Sequence, residues 1–219
     1  NSEMLQNGRE FDDNYYLSTL GIPAKSVKEG IYLSNESDPN DLYVSLMTAY
    51  GYALNRSGQP QEALALYDKA IEKKSWAETL TNRAALRFEL NENEGVSSDL
   101  LKAIGTNPYL YSAWLNLAVF HFRTGDTAKA LDASNRALAL RANLLPAWLL
   151  RGRVLLESRS FDAASEAFSN GLAISSNSCP AVDGLIKALE GKRLGKDDVA
   201  LRIALKKRRE LERSGFCTN

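Results

Sequence analysis

The residue types that most often carry enzyme chemistry are scarce in this chain of 219 residues. His121 is the single histidine, and a serine or cysteine nucleophile needs a positioned base to activate it. No group of His, Cys, Asp and Glu has the spacing of a metal site, and no glycine-rich phosphate loop occurs. We therefore predict a protein that is not an enzyme and needs no cofactor or metal. We predict that His121 is a buried or half-buried packing residue.

Two asparagines could do a different kind of chemistry, which is to bind a peptide backbone. Asn82 and Asn116 lie 34 residues apart. Because a carboxamide both donates and accepts hydrogen bonds, such a pair could hold an extended segment of another protein. Phe88 and Phe122 share the same spacing and could receive apolar side chains beside it.

The overall charge gives no indication of a nucleic-acid or membrane partner. Lys plus Arg and Asp plus Glu each number 27, and no apolar run approaches the ~20 residues that cross a bilayer. The charges are unevenly placed, since residues 1–43 carry eight acids and three bases and residues 192–213 carry nine bases and four acids. The chain begins with Asn1 rather than Met, so we expect that processing or cloning set its N-terminus.

A sequence period of 34 residues organises the middle of the chain. Tyr111-Ser-Ala-Trp114 recurs as Leu145-Pro-Ala-Trp148, and Ala118 in one unit matches Gly152 in the next. Counting back by the period gives four units, 44–76, 77–110, 111–144 and 145–178. Each unit has apolar residues at three- and four-residue spacing on two short segments, which predicts two amphipathic helices joined by a tight turn.

Small residues recur where the two helices of a unit must cross. We expect them to be buried and to let the helices approach closely, with large residues filling the remaining space. On the first helix they are Gly51, Ala84, Ala118 and Gly152, and on the second they are Ala63, Ala70, Ala103, Ala130, Ala137 and Ala164.

This pattern resembles the tetratricopeptide repeat (TPR) family, whose signature is a Trp, a Leu-Gly, a Tyr, then Ala, Phe, Ala and Pro. The residues that carry the resemblance are Pro108, Trp114 and Leu117, then Trp148, Gly152, Ala164 and Phe168, and in the first unit Tyr50, Gly51, Gly58, Ala63, Tyr67 and Ala70. Val96, Ser134 and Gly171 depart from the signature. The resemblance implies an all-α fold, a right-handed TPR superhelix of about six helix pairs.

The flanking segments are predicted to continue the solenoid as divergent caps. Residues 1–43 would form an N-terminal helical hairpin, with helices over 9–20 and 23–36 and a hinge or linker at 37–39. Residues 179–219 would form a C-terminal capping hairpin with a basic tail. Its first helix would begin at Pro180, and its second would run from Lys196 to Arg213.

TPR solenoids usually act through a concave groove lined by the first helix of each unit, so the resemblance implies a groove that binds a protein or peptide partner. The apolar groove residues could instead meet one of the chain's own helices. The predicted groove residues are Tyr52, Thr81, Asn82, Phe88, Asn116, Val119, Phe122, Arg123, Leu150 and Arg153.

One named kind of TPR partner is not predicted. TPR co-chaperones hold the C-terminal carboxylate of large chaperones through a Lys and an Asn on one helix, an Asn on the next, and a Lys and an Arg on the third. Asn82 matches the middle Asn, but Thr48, Tyr52, Ser112 and Asn116 stand at other clamp positions. Without cations there is little to offset the desolvation of a carboxylate.

Two features of the C-terminal region bear on partners and compartment. The run Lys206 to Arg209 reads best as a solvated helix face, although with the acidic front it suggests head-to-tail self-association of chains. Cys179 and Cys217 flank the last hairpin, whose antiparallel helices would bring them within reach of a disulfide. A disulfide implies an oxidising compartment, so we lean towards an extracytoplasmic location, periplasmic or membrane-associated, with the cytoplasm still open.

These observations predict a non-catalytic TPR scaffold or adaptor that binds a partner segment in its groove. Two alternatives stay open. One is an assembly factor of a bacterial envelope apparatus, of the kind represented by the TPR lipoproteins of pilus and secretion systems. The other is a regulatory or substrate-docking TPR arm of a larger enzyme with an asparagine ladder, in which Leu150 would interrupt the rungs formed by Asn82 and Asn116.

Overall fold

The periodic apolar residues form helices in pairs. In a computed structural model, the described residues are 39–192 and 198–217, and they contain helices and no strand. The chain divides into two compact units, Asn1–Tyr43 and Val44–Asn219. The helices of the described residues are α1 (Pro39–Arg56), α2 (Pro60–Lys73), α3 (Ala77–Glu89), α4 (Val96–Thr106), α5 (Tyr111–Arg123), α6 (Thr127–Leu140), α7 (Leu145–Glu157), α8 (Phe161–Ile174), α9 (Cys179–Gly191) and α10 (Val199–Arg213).

Three first helices begin where the 34-residue period places them, whereas α1 begins at Pro39, before the predicted unit 44–76. α3, α5 and α7 start at Ala77, Tyr111 and Leu145, the first residues of three predicted units. Five helix pairs are present in the described residues. The predicted N-terminal hairpin, with helices over 9–20 and 23–36, lies outside the described residues. The last helix begins at Val199, after the predicted start at 196, which also lies outside them.

The first helix ends in the same way in four units, although the turn that follows it spans three residues in three units and six residues, 90–95, in the second. At its tip the backbone enters the left-handed region, with φ of 84° at Gly58, 62° at Asn91, 86° at Gly125 and 56° at Arg159. Glycine and asparagine adopt this conformation with little strain, whereas arginine does so rarely. The turn is therefore set by the repeat as a whole and not by a glycine at every position.

The loop that leads into the next unit is fixed by the two signature tryptophans. The indole Nε1 of Trp114 donates a hydrogen bond of 2.9 Å to the carbonyl oxygen of Pro108. Trp148 repeats the contact at 2.8 Å with the carbonyl oxygen of Ala142, one period later. Each tryptophan therefore fastens the loop before its helix with its polar edge and packs against the core with its apolar body.

The core runs continuously from unit to unit. The predicted small-residue sites are buried, and the six alanines on the second helices are fully inaccessible to solvent. One apolar cluster joins residues of α3 to α7, among them Ala84, Leu100, Leu117, Ala130 and Val154. Because each hairpin covers the apolar face of its neighbour, no unit buries its core alone. Within the described residues no helix is long and apolar enough to cross a membrane.

Candidate protein-binding face

The first helices of successive units lie against one another. α3 contacts α5, α5 contacts α7, and α7 contacts α9, whereas the second helices α4, α6 and α8 contact first helices only, among the described residues. Successive first helices therefore lie closer to one another than successive second helices do. We name the side of the first helices the first-helix face and define it by the residues of α3, α5 and α7 discussed below.

Two asparagines present unpaired amide groups on this face. Asn82 on α3 and Asn116 on α5 are both half-buried, and neither side chain has a hydrogen-bond partner among the described residues. Every buried side-chain N or O atom of the described residues has a hydrogen-bond partner. Because these two amides have none, they must be accessible to solvent. Both can therefore donate to and accept from a molecule that lies along the face.

Two arginines lie on the rings of two phenylalanines of this face. The guanidinium Cζ of Arg123 on α5 is 5.3 Å from the ring centre of Phe88 on α3. The Cζ of Arg153 on α7 is 4.9 Å from the ring centre of Phe122 on α5. Phe88 also meets Phe120 edge-on at 5.6 Å between ring centres. The phenylalanines are half-buried against the core, and each has an arginine guanidinium over its ring.

The remaining predicted groove residues differ in exposure. Tyr52 on α1 is exposed over 55% of its surface. Val119 on α5 is half-buried and packs against the core cluster. These two residues stay predicted contact positions.

Thr81 and Leu150 do not belong to the surface, and here the predicted groove is wrong. Thr81 is 3% exposed, and its hydroxyl donates a hydrogen bond of 2.7 Å to the carbonyl oxygen of Ala77 within α3. Leu150 is 6% exposed and packs in the core cluster that contains Ala118. A side chain that is already enclosed has no area left for a partner. Leu150 also leaves α7 without the amide that Asn82 and Asn116 supply on the two preceding first helices.

A partly buried ion-pair network beside Asn82 was missed by the sequence reasoning. Arg83 donates two hydrogen bonds to Asp99 on α4, at 2.8 Å and 2.7 Å, and one of 2.7 Å to Asp68 on α2. Arg87 lies 3.4 Å from the Asp99 carboxylate. Burial lowers the pKa of Arg83, but its hydrogen bonds to Asp99 and Asp68 outweigh that effect and raise the pKa above its ordinary value.

The sequence did carry a signal for this network. Asp99 stands where the next two units have Ala133 and Ala167, both buried. An acid at a position that is otherwise a buried alanine needs a cationic partner. Arg83 and Arg87 on the adjacent helix are the candidates.

His121 is half-buried, as predicted for a packing residue. Its ring lies edge-on to Phe120 at 5.7 Å between centres. Burial lowers the pKa of His121, although the charge of Asp126 acts in the opposite direction. Among the described residues no group of three or more His, Cys, Asp or Glu side chains could hold a metal ion.

The two cysteines meet at the C-terminal hairpin. Cys179 begins α9, Cys217 follows α10, and they form a disulfide with 5.8 Å between the Cα atoms. Cys217 is buried against Val182 and Leu211. The bond joins the two outer ends of the last helix pair.

Residues 99–144 match a family model described as a tetratricopeptide repeat. The matched residues contain α5 and α6, together with part of α4. The predicted family and the predicted fold class, an all-α TPR superhelix, are thereby confirmed.

Solved structures of known proteins share this TPR fold. Over 78% of this chain and 93% of the other, the structure superposes on a crystal structure of the MamA protein with a TM-score of 0.68 and 23% identity. It superposes on PilF of Pseudomonas aeruginosa with a TM-score of 0.70 and 17% identity, over 79% of this chain and 78% of the other. At these identities the likeness concerns the fold alone.

A curated relative is similar in sequence over a shorter length. Anaphase-promoting complex subunit 7 of Dictyostelium discoideum is 34% identical to this chain over 89 residues, which is 41% of this chain. The match spans 14% of the length of that subunit.

Proposed function

We propose that this TPR chain is a non-catalytic scaffold or adaptor that binds a segment of a partner protein along its first-helix face. The observation that carries the proposal is the pair Asn82 and Asn116. Their amides lie one unit apart on neighbouring helices and have no hydrogen-bond partner among the described residues. Polar groups held on rigid helices and left unpaired are suited to bind the backbone of an extended peptide.

The aromatic residues beside the amides support the same proposal. Phe88 and Phe122 are half-buried and stand on the same helices as the two asparagines. Their packing against the core and the arginine over each ring fix their positions, so little entropy is lost when a partner contacts them. A face with fixed apolar anchors and unpaired amides suits a partner segment better than a small molecule.

The first alternative function, assembly of an envelope apparatus, is favoured by one observation. The disulfide between Cys179 and Cys217 is of a kind that persists in oxidising compartments such as the periplasm. The curated relative, named as a subunit of a complex, supports a role in protein assembly in general. The second alternative, a docking arm of an enzyme with an asparagine ladder, has less support because Leu150 is buried where the third rung would stand.

The experiment that tests the proposal is a quantitative pull-down from the source cells. Immobilised wild type is compared with Asn82→Ala/Asn116→Ala and with the control Asn93→Ala/Asn170→Ala, whose residues lie in the turn after α3 and on α8. The first variant loses two hydrogen bonds to the partner, each with a net contribution of about 0.5–1.5 kcal/mol. We therefore expect it alone to recover less partner, by on the order of tenfold or more. Equal recovery by all three folded proteins would exclude the first-helix face as the binding site.

A further inference from the structure

The two arginines of the first-helix face are held in place without an anionic partner. Arg123 and Arg153 are exposed, and each guanidinium lies over a phenylalanine ring of the preceding first helix. A guanidinium that stacks on a ring keeps its N–H donors in its own plane, directed away from the ring face. Those donors are therefore available to a ligand while the ring fixes the position of the charge.

Acids stand near these arginines in the sequence, but none pairs with them. Glu157 is four residues after Arg153 on α7, a spacing that commonly gives an ion pair on a helix. Arg153 instead lies over Phe122, and neither arginine has an ion pair among the described residues. Arg83 and Arg87 differ, because Asp68 and Asp99 already occupy them. Arg123 and Arg153 are thus the arginines of this face that could receive an external anion.

The two stacks lie next to each other along the face. Phe122 and Arg123 are consecutive residues of α5, so the stack of Arg123 on Phe88 and the stack of Arg153 on Phe122 meet at that helix. Packed helices are about 8–10 Å apart. An extended peptide advances about 3.3 Å per residue, so side chains about three residues apart match the step from one helix to the next.

We infer that the partner segment is acidic, with two carboxylates about three residues apart that bind Arg123 and Arg153. The inference rests on the proposed function, because it names the chemistry of the segment bound at the same face. A carboxylate accepts two parallel hydrogen bonds from a guanidinium, which gives geometric specificity as well as charge neutralisation. Asn82 and Asn116 contact the backbone of the same segment.

Two acidic residues of this chain, Glu89 and Glu157, limit how many acidic residues the partner segment can carry. Glu89 and Glu157 are exposed at the positions of α3 and α7 that correspond to Arg123 on α5. A partner with carboxylates along its whole length would meet these two negative charges. The segment therefore carries its two acids in the centre, with neutral or basic residues on either side.

The test uses three matched sets of fluorescent 12-residue peptides, measured by polarisation against the purified full chain. The central two positions, three residues apart, are Glu in the first set, Gln in the second and phosphoserine in the third, with identical randomised neutral flanks. The proteins are wild type, Arg123→Gln/Arg153→Gln, Arg123→Lys/Arg153→Lys, Asn82→Ala/Asn116→Ala and the control Arg202→Gln/Arg209→Gln on α10. Circular dichroism verifies that each variant is folded.

We expect wild type to prefer the Glu set over the Gln set by on the order of tenfold or more at low salt, and less at 0.5 M salt. The Gln double variant loses this preference, the Lys variant keeps part of it, and the α10 control keeps all of it. Equal binding of the Glu and Gln sets, with loss of both in the asparagine variant, overturns the acidic partner and leaves the proposed function standing. Binding of the phosphoserine set alone also overturns it. If none of the sets binds while partner recovery in the pull-down still depends on Asn82 and Asn116, the acidic partner is overturned and the proposed function stands; if recovery does not depend on them, both fail.

Discussion

Gly152 on α7 lies directly against the ring of Phe168 on α8. A Cβ atom placed on Gly152 would stand 2.6 Å from Cζ of that ring, a distance that real side chains do not tolerate. A Cβ atom placed on Gly184 of α9 would stand equally close to the same ring. Phe168 is 1% exposed, so the ring fills the space between three helices, and glycine is what allows those helices to close around it.

The first prediction concerns this contact. Gly152→Ala should lower the free energy of unfolding by about 1–3 kcal/mol, because the added methyl group must displace a buried ring. Gly105→Ala is the matched control, since a Cβ there meets no atom within 4 Å on the exposed side of α4. Removing a helical glycine at such a site should raise stability by about 0.5–1 kcal/mol. Urea unfolding followed by circular dichroism measures both, and a Gly152→Ala protein as stable as wild type would contradict the packing described.

The second prediction uses the chain's own variation of this contact. Residues sixteen apart pair as Gly51 with Tyr67 and Gly152 with Phe168, whereas Ala118 has Ser134 as its partner. Ser134→Phe should therefore destabilise the third unit by about 1–3 kcal/mol through overpacking. Ala118→Gly added to Ser134→Phe should recover part of the loss. A double-mutant cycle by urea unfolding measures the coupling, and strictly additive effects would show that the pair does not behave like Gly152 and Phe168.

The repeat period could predict where α3, α5 and α7 begin, because helix pairs of similar length recur and each must bury a small residue at the crossing. It could not predict whether an individual residue of the predicted groove is buried in the core or accessible to a partner. Thr81 and Asn82 are adjacent on α3, yet the first is buried and the second is half-buried with an unpaired amide. Leu150 occupies the position of Asn116, but as an apolar residue it packs into the core beside Ala118. A rule that treats all units alike cannot predict that equivalent residues differ in burial.

The contacts of the charged residues could not be predicted from the repeat either, because they differ from unit to unit. Arg123 and Arg153 occupy different positions on their helices, so no repeat rule predicts that both lie on a phenylalanine of the preceding first helix. The network around Asp99 is present in one unit and absent from the next, where Ala133 takes its place. Long side chains reach partners on other helices, and their contacts depend on which unit lies beside them.

The third prediction concerns Asp99. Its carboxylate is 3% exposed and accepts two hydrogen bonds from Arg83. Asp99→Ala should lower the free energy of unfolding by about 3–5 kcal/mol, because it leaves Arg83, whose side chain is 14% exposed, with only the half-exposed Asp68 as a counter-charge. Lys206→Ala is the control, since Lys206 and Glu210 form an exposed pair at 3.9 Å whose loss should cost about 0.5 kcal/mol or less. Similar unfolding midpoints for the two variants would mean that Asp99 does not stabilise the fold.

The fourth prediction is a dependence of stability on pH that His121 alone should produce in the neutral range. Burial lowers the pKa of His121, so on acidification the unfolded chain takes up the proton first, near its ordinary value of about 6.5. The contribution to stability is therefore complete above that value and is lost as the pH falls below it. His121 is the single histidine and carboxylates ordinarily titrate lower, so its titration falls in the interval from about pH 7.5 to 5.5.

The measurement for His121 is the urea midpoint of wild type and of His121→Phe at several pH values across that interval. The wild-type midpoint should fall on acidification, and that of the variant should stay nearly level because phenylalanine does not titrate. An identical slope in the two proteins would mean that the pKa of His121 is not lowered by folding.

The fifth prediction concerns the disulfide that joins Cys179 to Cys217 across the last helix pair. A bridge that closes a loop of this length contributes about 2–4 kcal/mol, largely by restricting the unfolded chain. The effect should be local, because α10 contacts α9 alone among the described helices. In Cys179→Ser/Cys217→Ser, hydrogen exchange at Leu201, Ala204 and Leu211 should accelerate while α3 to α6 keep their protection. Thiol alkylation of wild type from an oxidising compartment should label neither cysteine, and full labelling of both without reduction would contradict the bridge.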